Sequence, residues 1–263
     1  MSPIIVTIIA LSIIFLATTL GASLVFFVKK SISSKSSNAI LGFASGIMIA
    51  AAIFGLLIPA IDEASETYKD FSLIPVIGGF ILGGLFLNLL DKVVPHLHTL
   101  NHEEEGYNAK NVTKNLKFFL AVTIHNIPEG LAVGVACGLA LSTKENAAVM
   151  SALSLAIGIA IQNFPEGAAV SIPMLESNVT KPKSFVYGML SGVVEPVFGL
   201  IGIFLASSSN YLMPWLLTFA SGAMIYVTLD ELLPSSRKDN YPHYGMWAFM
   251  IGFSLMLILE MVL

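Results

Sequence analysis

Two six-residue runs hold the reactive chemistry of this sequence: HNIPEG from His125 and QNFPEG from Gln162. Each sets a polar pair, a proline and a glutamate inside an apolar stretch. On a helix, residues four apart share a face, so His125 and Glu129 point the same way and Asn126 sits on the flank. Gln162, Asn163 and Glu166 repeat that arrangement, and GVVEPVFGL adds Glu195. Imidazole, carboxylate and amide together make a nitrogen-and-oxygen ligand set that suits a divalent cation. Met48 offers a thioether to the same set, although a methionine in an apolar helix is usually core filler.

A charge at the centre of a bilayer costs about 2.5–3.5 kcal/mol on insertion scales, so three ionised glutamates cost roughly 10 kcal/mol. No Lys or Arg lies at their depth to offset this. Protonation is one escape, because burial raises a carboxyl pKa. A bound divalent cation is the other, and the histidine and amides beside the carboxylates favour it. Pro128, Pro165 and Pro196 fit the same reading. A proline inside a helix displaces the carbonyl four residues back, here those of Ile124, Ile161 and Gly192. Free carbonyls at membrane depth must face protein or a wet cavity, where they can cradle a cation or its waters. One glutamate beside one proline is no more than a packing polar group; two copies on adjacent helices, with a third glutamate at matching depth, argue for a site.

The elements that must position these groups are membrane helices. The chain of 263 residues is 56% hydrophobic and 11% charged, with a mean hydropathy of +0.83, whereas soluble domains carry about 25% charged residues. The net charge of -4 is small and no basic, aromatic-interleaved stretch points to nucleic acid. The single Cys137 excludes an intrachain disulfide. The first apolar run lacks a basic leader and is longer than a signal-peptide core, which reads as a retained helix. Apolar runs long enough to span predict an all-α polytopic protein, one transmembrane domain over residues 1–263, with eight helices at about 4–28, 39–61, 72–94, 117–141, 147–174, 184–207, 211–234 and 244–262. With both termini outside, eleven Lys and Arg fall on cytoplasmic loops and two, Lys69 and Lys144, on the outer side. That asymmetry sets the orientation and makes the 95–116 loop, rich in His and Glu, cytoplasmic.

ASGIMIAAAIFGLLIP from Ala44 recurs as ASGAMIYVTLDELLP from Ala220. Their host helices, the second and seventh, run in opposite directions. The chain therefore reads as an inverted 3+2+3 repeat with helices four and five central, a transporter architecture with its site at the repeat interface. Spaced glycines such as Gly130, Gly134 and Gly138 let helices approach closely; sliding surfaces or a homodimer seam are further uses of them.

HNIPEG followed by QNFPEG, eight spans, the inverted triplets and the His-bearing loop resemble the ZIP (Zrt-, Irt-like protein) divalent metal transporters, nearest the bacterial GufA/ZupT branch. The resemblance covers essentially the whole chain. It implies carriage of divalent metal, chiefly zinc, into the cytoplasm across a bacterial or archaeal plasma (inner) membrane. It implies a main site of His125, Glu129, Gln162 and Glu166, with Met48 matching a methionine of some bacterial members. Asn126, Asn163 and Glu195 would complete a neighbouring site bridged by Glu129 and Glu166. Some members have aspartate where this chain has Asn163, a departure that removes a charge from the second site. Asp91, His96, His98, Asp230 and Glu231 would form an exit route toward the cytoplasm, and helices one, four, five and six the moving bundle. His102 and Glu103–Glu105 read as a solvated loop, with transient metal capture as the alternative. Asp62, Glu63, Glu66 and Asp70 read as a cation-concentrating outer patch or as a hydrated turn.

The mixed ligand set suits zinc, iron(II), manganese, cobalt or cadmium better than copper(I). The metal is cargo, and neither cofactor nor enzymatic activity is expected. Alternatives are an intramembrane metal-dependent enzyme, disfavoured by the lack of HExxH, and a proton-conducting channel in which the glutamates titrate.

Overall fold

The computed structural model describes residues 2–27, 33–93, 96–97, 104–105, 114–237 and 241–262. His98 and nearly all of the 95–116 loop lie outside them. Eight helices are long and apolar enough to cross a membrane. They are α1 (Pro3–Phe26), α2 (Ser34–Phe71), α3 (Leu73–Val93), α4 (Lys114–Thr143), α5 (Asn146–Glu176), α6 (Lys181–Ala206), α7 (Met213–Ser235) and α8 (Pro242–Val262). Strand pairing among the described residues is confined to His96–Leu97 against Glu104–Glu105.

α2 outruns its expected end. At about 1.5 Å per residue its 38 residues extend to roughly 57 Å, while the hydrocarbon is about 30 Å thick. The polar DEASETYKD segment is therefore mostly helix, Ile58–Tyr68, projecting beyond the lipid. Charged residues do not end a helix that has already left the bilayer; the chain turns only at Lys69, whose φ of 51° is left-handed. Inside α2, Ala51–Leu57 is wound as a π-helix, and so is Thr228–Leu232 in α7. Both lie in the second half of their repeat copy. Pro59 closes the first copy one residue later than Pro234 closes the second, and a wider turn is how a helix absorbs an extra residue.

The helices pair as α1 with α5, α4 with α6, α2 with α8, and α3 with α7. Under the inverted repeat the first pair maps onto the second and the third onto the fourth, so the packing carries the symmetry read in the sequence. Glycine makes these pairings close. A Cβ on Gly21 or Gly167 would strike the backbone of the facing helix, Phe164 and Thr18 respectively, and one on Gly134 would strike Gly199. Gly46 and Gly222, equivalent positions of the two copies, meet Phe249 and Phe80 in the same way. All of these contacts stay within α1/α4/α5/α6 or within α2/α3/α7/α8. Where the two groups face each other, glycine meets side chains instead: Gly55 meets Leu155, and Gly158 meets Met256 and Ile47. Two tightly zipped bundles thus share a looser seam.

The glycine zips make a stability prediction. Gly134→Ala puts a methyl into the Gly199 backbone and should destabilise by about 1–3 kcal/mol or more, the usual cost of overpacking. Gly84→Ala meets only the Tyr226 side chain at ordinary contact distance and should be nearly neutral. Thermal melting of the two variants in detergent checks this; equal losses would contradict it.

Candidate metal centre

Three prolines are expected to loosen the helices beside the glutamates. α4 passes Pro128 and α5 passes Pro165 without interruption. α6 does break, at Val193 between Lys181–Gly192 and Val194–Ala206. Pro196 has no N–H for the Gly192 carbonyl, and Glu195 opens the new helical segment. The carbonyl next to the break is not left for an ion: Asn126 Nδ2 donates to Ser191 O at 3.0 Å.

Glu195 is completely buried, and both its oxygens are taken. Thr18 Oγ1 donates to Oε1 at 2.7 Å and Asn126 Nδ2 donates to the same oxygen at 3.1 Å. Asn163 Nδ2 donates to Oε2 at 2.7 Å and also reaches Ile14 O at 3.3 Å. This knot ties α1, α4, α5 and α6 together. Thr18 carried no signal in the sequence, because a lone threonine in a membrane helix usually bonds its own backbone, as Thr18 also does to Ile14 O at 3.2 Å.

Glu129 is the opposite case. It is 0% exposed, and neither carboxylate oxygen has a hydrogen-bond partner among the described residues. Asn126 Oδ1 and Gln162 Oε1 are buried and unpartnered as well. The amide nitrogens are spent elsewhere: that of Asn126 on Glu195 and Ser191, that of Gln162 on Asn163 Oδ1 at 2.6 Å. Gln162 stands beside both Glu129 and Glu166. Glu166 is half-buried, and its charge acts on Glu129 and Glu195. Buried acceptors without donors cost about 1–3 kcal/mol each, and more when charged. Four such oxygens on the facing helices α4 and α5 match the electron-pair side of a cation's coordination shell.

His125, nearly buried, meets Glu231 of α7, with Nε2 and Oε1 3.4 Å apart. Glu231 was expected on the exit route; it is the partner of the site histidine, across the seam. The charges of Glu166 and Asp91 also act on His125, and Asp91 is largely buried at the end of α3. Its neighbour on the expected exit, Asp230, is exposed. The backbone of His96 lies in the two-residue pairing, and His98 is outside the described residues. Met48 is fully buried, and its sulfur accepts from Thr228 Oγ1 at 3.8 Å.

Among the described residues, no three His, Cys, Asp or Glu converge enough to hold a metal ion by themselves. The reasons are local. His125 leans on Glu231, Glu195 is held by three donors, and position 163 is an amide. The acceptors left free here among the described residues are the Glu129 carboxylate and the amide oxygens of Asn126 and Gln162.

Above the seam, an open vestibule of about 560 Å³ is lined by Asp62, Glu63, Glu66 and Glu145, with Gly55 and Ser151 among its other walls. It adds Glu145 to the acidic patch expected from sequence and does not include Asp70. Its deepest named residues on α4 and α5 include Ala136 and Ala152, about two and nearly three turns from Glu129 and Gln162 at 3.6 residues per turn.

The sequence model of one family, described as ZIP Zinc transporter, matches residues 101–260. The chain is 38% identical to the zinc transporter GufA of Myxococcus xanthus over 94% of both proteins. It is 33% identical to a zinc transporter ZupT of Chlorobaculum parvum over 92% of both. Human zinc transporter ZIP11 is 32% identical, covering 92% of this chain and 93% of that one.

Asn163→Asp exchanges the donor on Glu195 for a second carboxylate. The metal-free variant should lose about 1–3 kcal/mol of stability. Zinc should raise its melting temperature more than it raises that of the unaltered chain. Equal zinc-induced shifts by differential scanning fluorimetry would contradict this.

Proposed function

The chain belongs to the ZIP family of zinc transporters, and from that premise we propose that it carries zinc into the cytoplasm through a site between α4 and α5. It is an integral membrane protein that moves a divalent metal, a transporter rather than an enzyme. The observation that carries the finer reading is the orphaned carboxylate of Glu129, flanked by the free oxygens of Asn126 and Gln162.

In this reading Glu129 supplies the charge, Gln162 and Glu166 supply further oxygens, and His125 supplies an imidazole on turning away from Glu231. Met48, buried in α2 with its sulfur on Thr228, is the candidate thioether. A four-coordinate zinc needs two or more of these groups to close in together. Asn126, Asn163 and Glu195 hold one another as a lock in the metal-free protein, and a second ion binds there only where those hydrogen bonds give way. The absence of thiolates keeps binding weak enough for release and leaves iron(II), manganese, cobalt and cadmium as further cargo.

Transport follows from the two bundles. With the termini outside, the acidic vestibule faces the outer solution and raises the local cation concentration. The vestibule does not reach Glu129, so the bundles must shift along their seam to admit the ion. The His125–Glu231 pair bridges that seam. Metal that draws His125 away from Glu231 releases the bridge, which then leaves Glu231 and Asp91 to accept the ion on its way inward.

Two predictions follow from these roles. His125→Ala and Glu129→Ala should abolish zinc uptake into sealed vesicles while each protein still reaches the membrane; normal radiozinc uptake by both would refute the site. A ligating histidine must be neutral, so zinc affinity should fall with acidity, by about tenfold per pH unit once the histidine is mostly protonated. In His125→Ala, calorimetric titration should show weaker binding with a shallower pH dependence.

A further inference from the structure

We propose that Glu260 and Ser154 form a proton-binding site in the seam between the two bundles, read from the vestibule side. Glu260 lies on α8 and Ser154 on α5, one from each bundle. Ser154 is 0% exposed, and its hydroxyl has no hydrogen-bond partner among the described residues. Glu260 Oε1 is buried and unpartnered as well, although the Ser154 hydroxyl stands next to it. Like His125 and Glu231, these two polar groups face each other across the seam, and their unmet bonds among the described residues call for a guest.

The number of oxygens decides which guest. A metal cation needs at least four ligands for zinc and six or more for calcium. Here one carboxylate and one hydroxyl converge, too few for any of these but enough to share a proton. α2 closes the third side with Gly55, where a Cβ would crowd Glu260 Oε1 and Leu155. Gly55 also lines the vestibule, as does Ser151, one turn before Ser154 on α5. Gly55 and Ser151 thus stand between the vestibule and the buried pair. The groups facing Glu260 are Gly55 from α2 and Ser154 from α5, neither of them charged. The nearest acids on those elements, Asp62, Glu63 and Glu66 on α2 and Glu145 before α5, line the vestibule instead.

The consequence is a seam whose closure depends on protonation. An ionised carboxylate is costly where its solvation is withheld, so ionised Glu260 favours a parted seam in which water reaches it. Protonated Glu260 donates to Ser154 and lets the seam close. Acid outside therefore holds the outer path shut, independently of protons competing for the metal ligands. This inference rests on the orientation and transport reading given above.

The test separates the two. Zinc uptake into vesicles is measured at saturating zinc, which suppresses competition at the metal ligands, with interior pH clamped and exterior pH stepped from neutral to about 5, above the ordinary carboxyl range. The unaltered chain should slow as the exterior acidifies. Glu260→Gln should transport zinc with no acid limb, and Ser154→Ala, which removes the acceptor of the protonated carboxyl, should move the limb to lower pH. Superimposable profiles for Glu260→Gln and the unaltered chain, or a limb that follows interior pH, would overturn the proposal. A metal-free readout serves if no zinc moves at all, a result that would strike the transport reading instead. Ser151→Cys is labelled from outside by an impermeant maleimide; Cys137 is fully buried. Labelling should fall with external acid and cease to do so in Ser151→Cys/Glu260→Gln. Labelling equally sensitive to acid in both would also overturn the proposal.

Discussion

A carboxylate enclosed at membrane depth, with neither oxygen bonded among the described residues, is the constraint on which the rest of this molecule turns. Glu129 has the usual remedies close at hand and uses none. The amide nitrogens of Asn126 and Gln162 are within its neighbourhood, yet both are committed elsewhere, leaving their oxygens toward the same region. Glu195 shows the contrast: the same helices supply three donors to it and none to Glu129. Donors are thus partitioned so that one carboxylate is satisfied by protein and the other is not. A divalent cation is the guest that meets the unmet oxygens with the right sign.

This partition needs helices that approach to backbone contact, because short side chains such as Asn and Thr reach across only small gaps. Glycine provides those gaps inside each bundle, and its contacts with facing backbone stop at the seam, where it meets side chains instead. His125 belongs to one side and Glu231 to the other, so the contact of the candidate-site histidine depends on how the bundles sit.

Much of this was legible in the sequence for identifiable reasons. Eight spans could be read because lipid tolerates only helices with internally satisfied backbones, which leaves long apolar runs. The two PEG motifs exposed Glu129 and Glu166, because buried glutamates are costly and their repetition is not accidental. The end of α2 was misjudged at DEASETYKD, since composition reports polarity but not that a helix has already emerged from the membrane. The π-helical turns left only a one-residue mismatch between repeat copies as their trace. Glu231 was placed on the exit because its sequence position says it lies at the inner end of α7; that it faces His125 depends on how α4 packs on α7. Ser191 taking the amide of Asn126, and Thr18 taking Glu195, follow from helix rotation, which hydropathy does not encode.

Anomalous diffraction from crystals grown with zinc or cadmium addresses the central claim most directly. A peak between α4 and α5, within about 2.0–2.3 Å of a Glu129 oxygen, with a side-chain amide oxygen of Asn126 or Gln162 turned toward it, is the expected result. Crystals with abundant metal that show no peak there, and Glu129 bonded instead to water or to a neighbouring donor, would contradict the account.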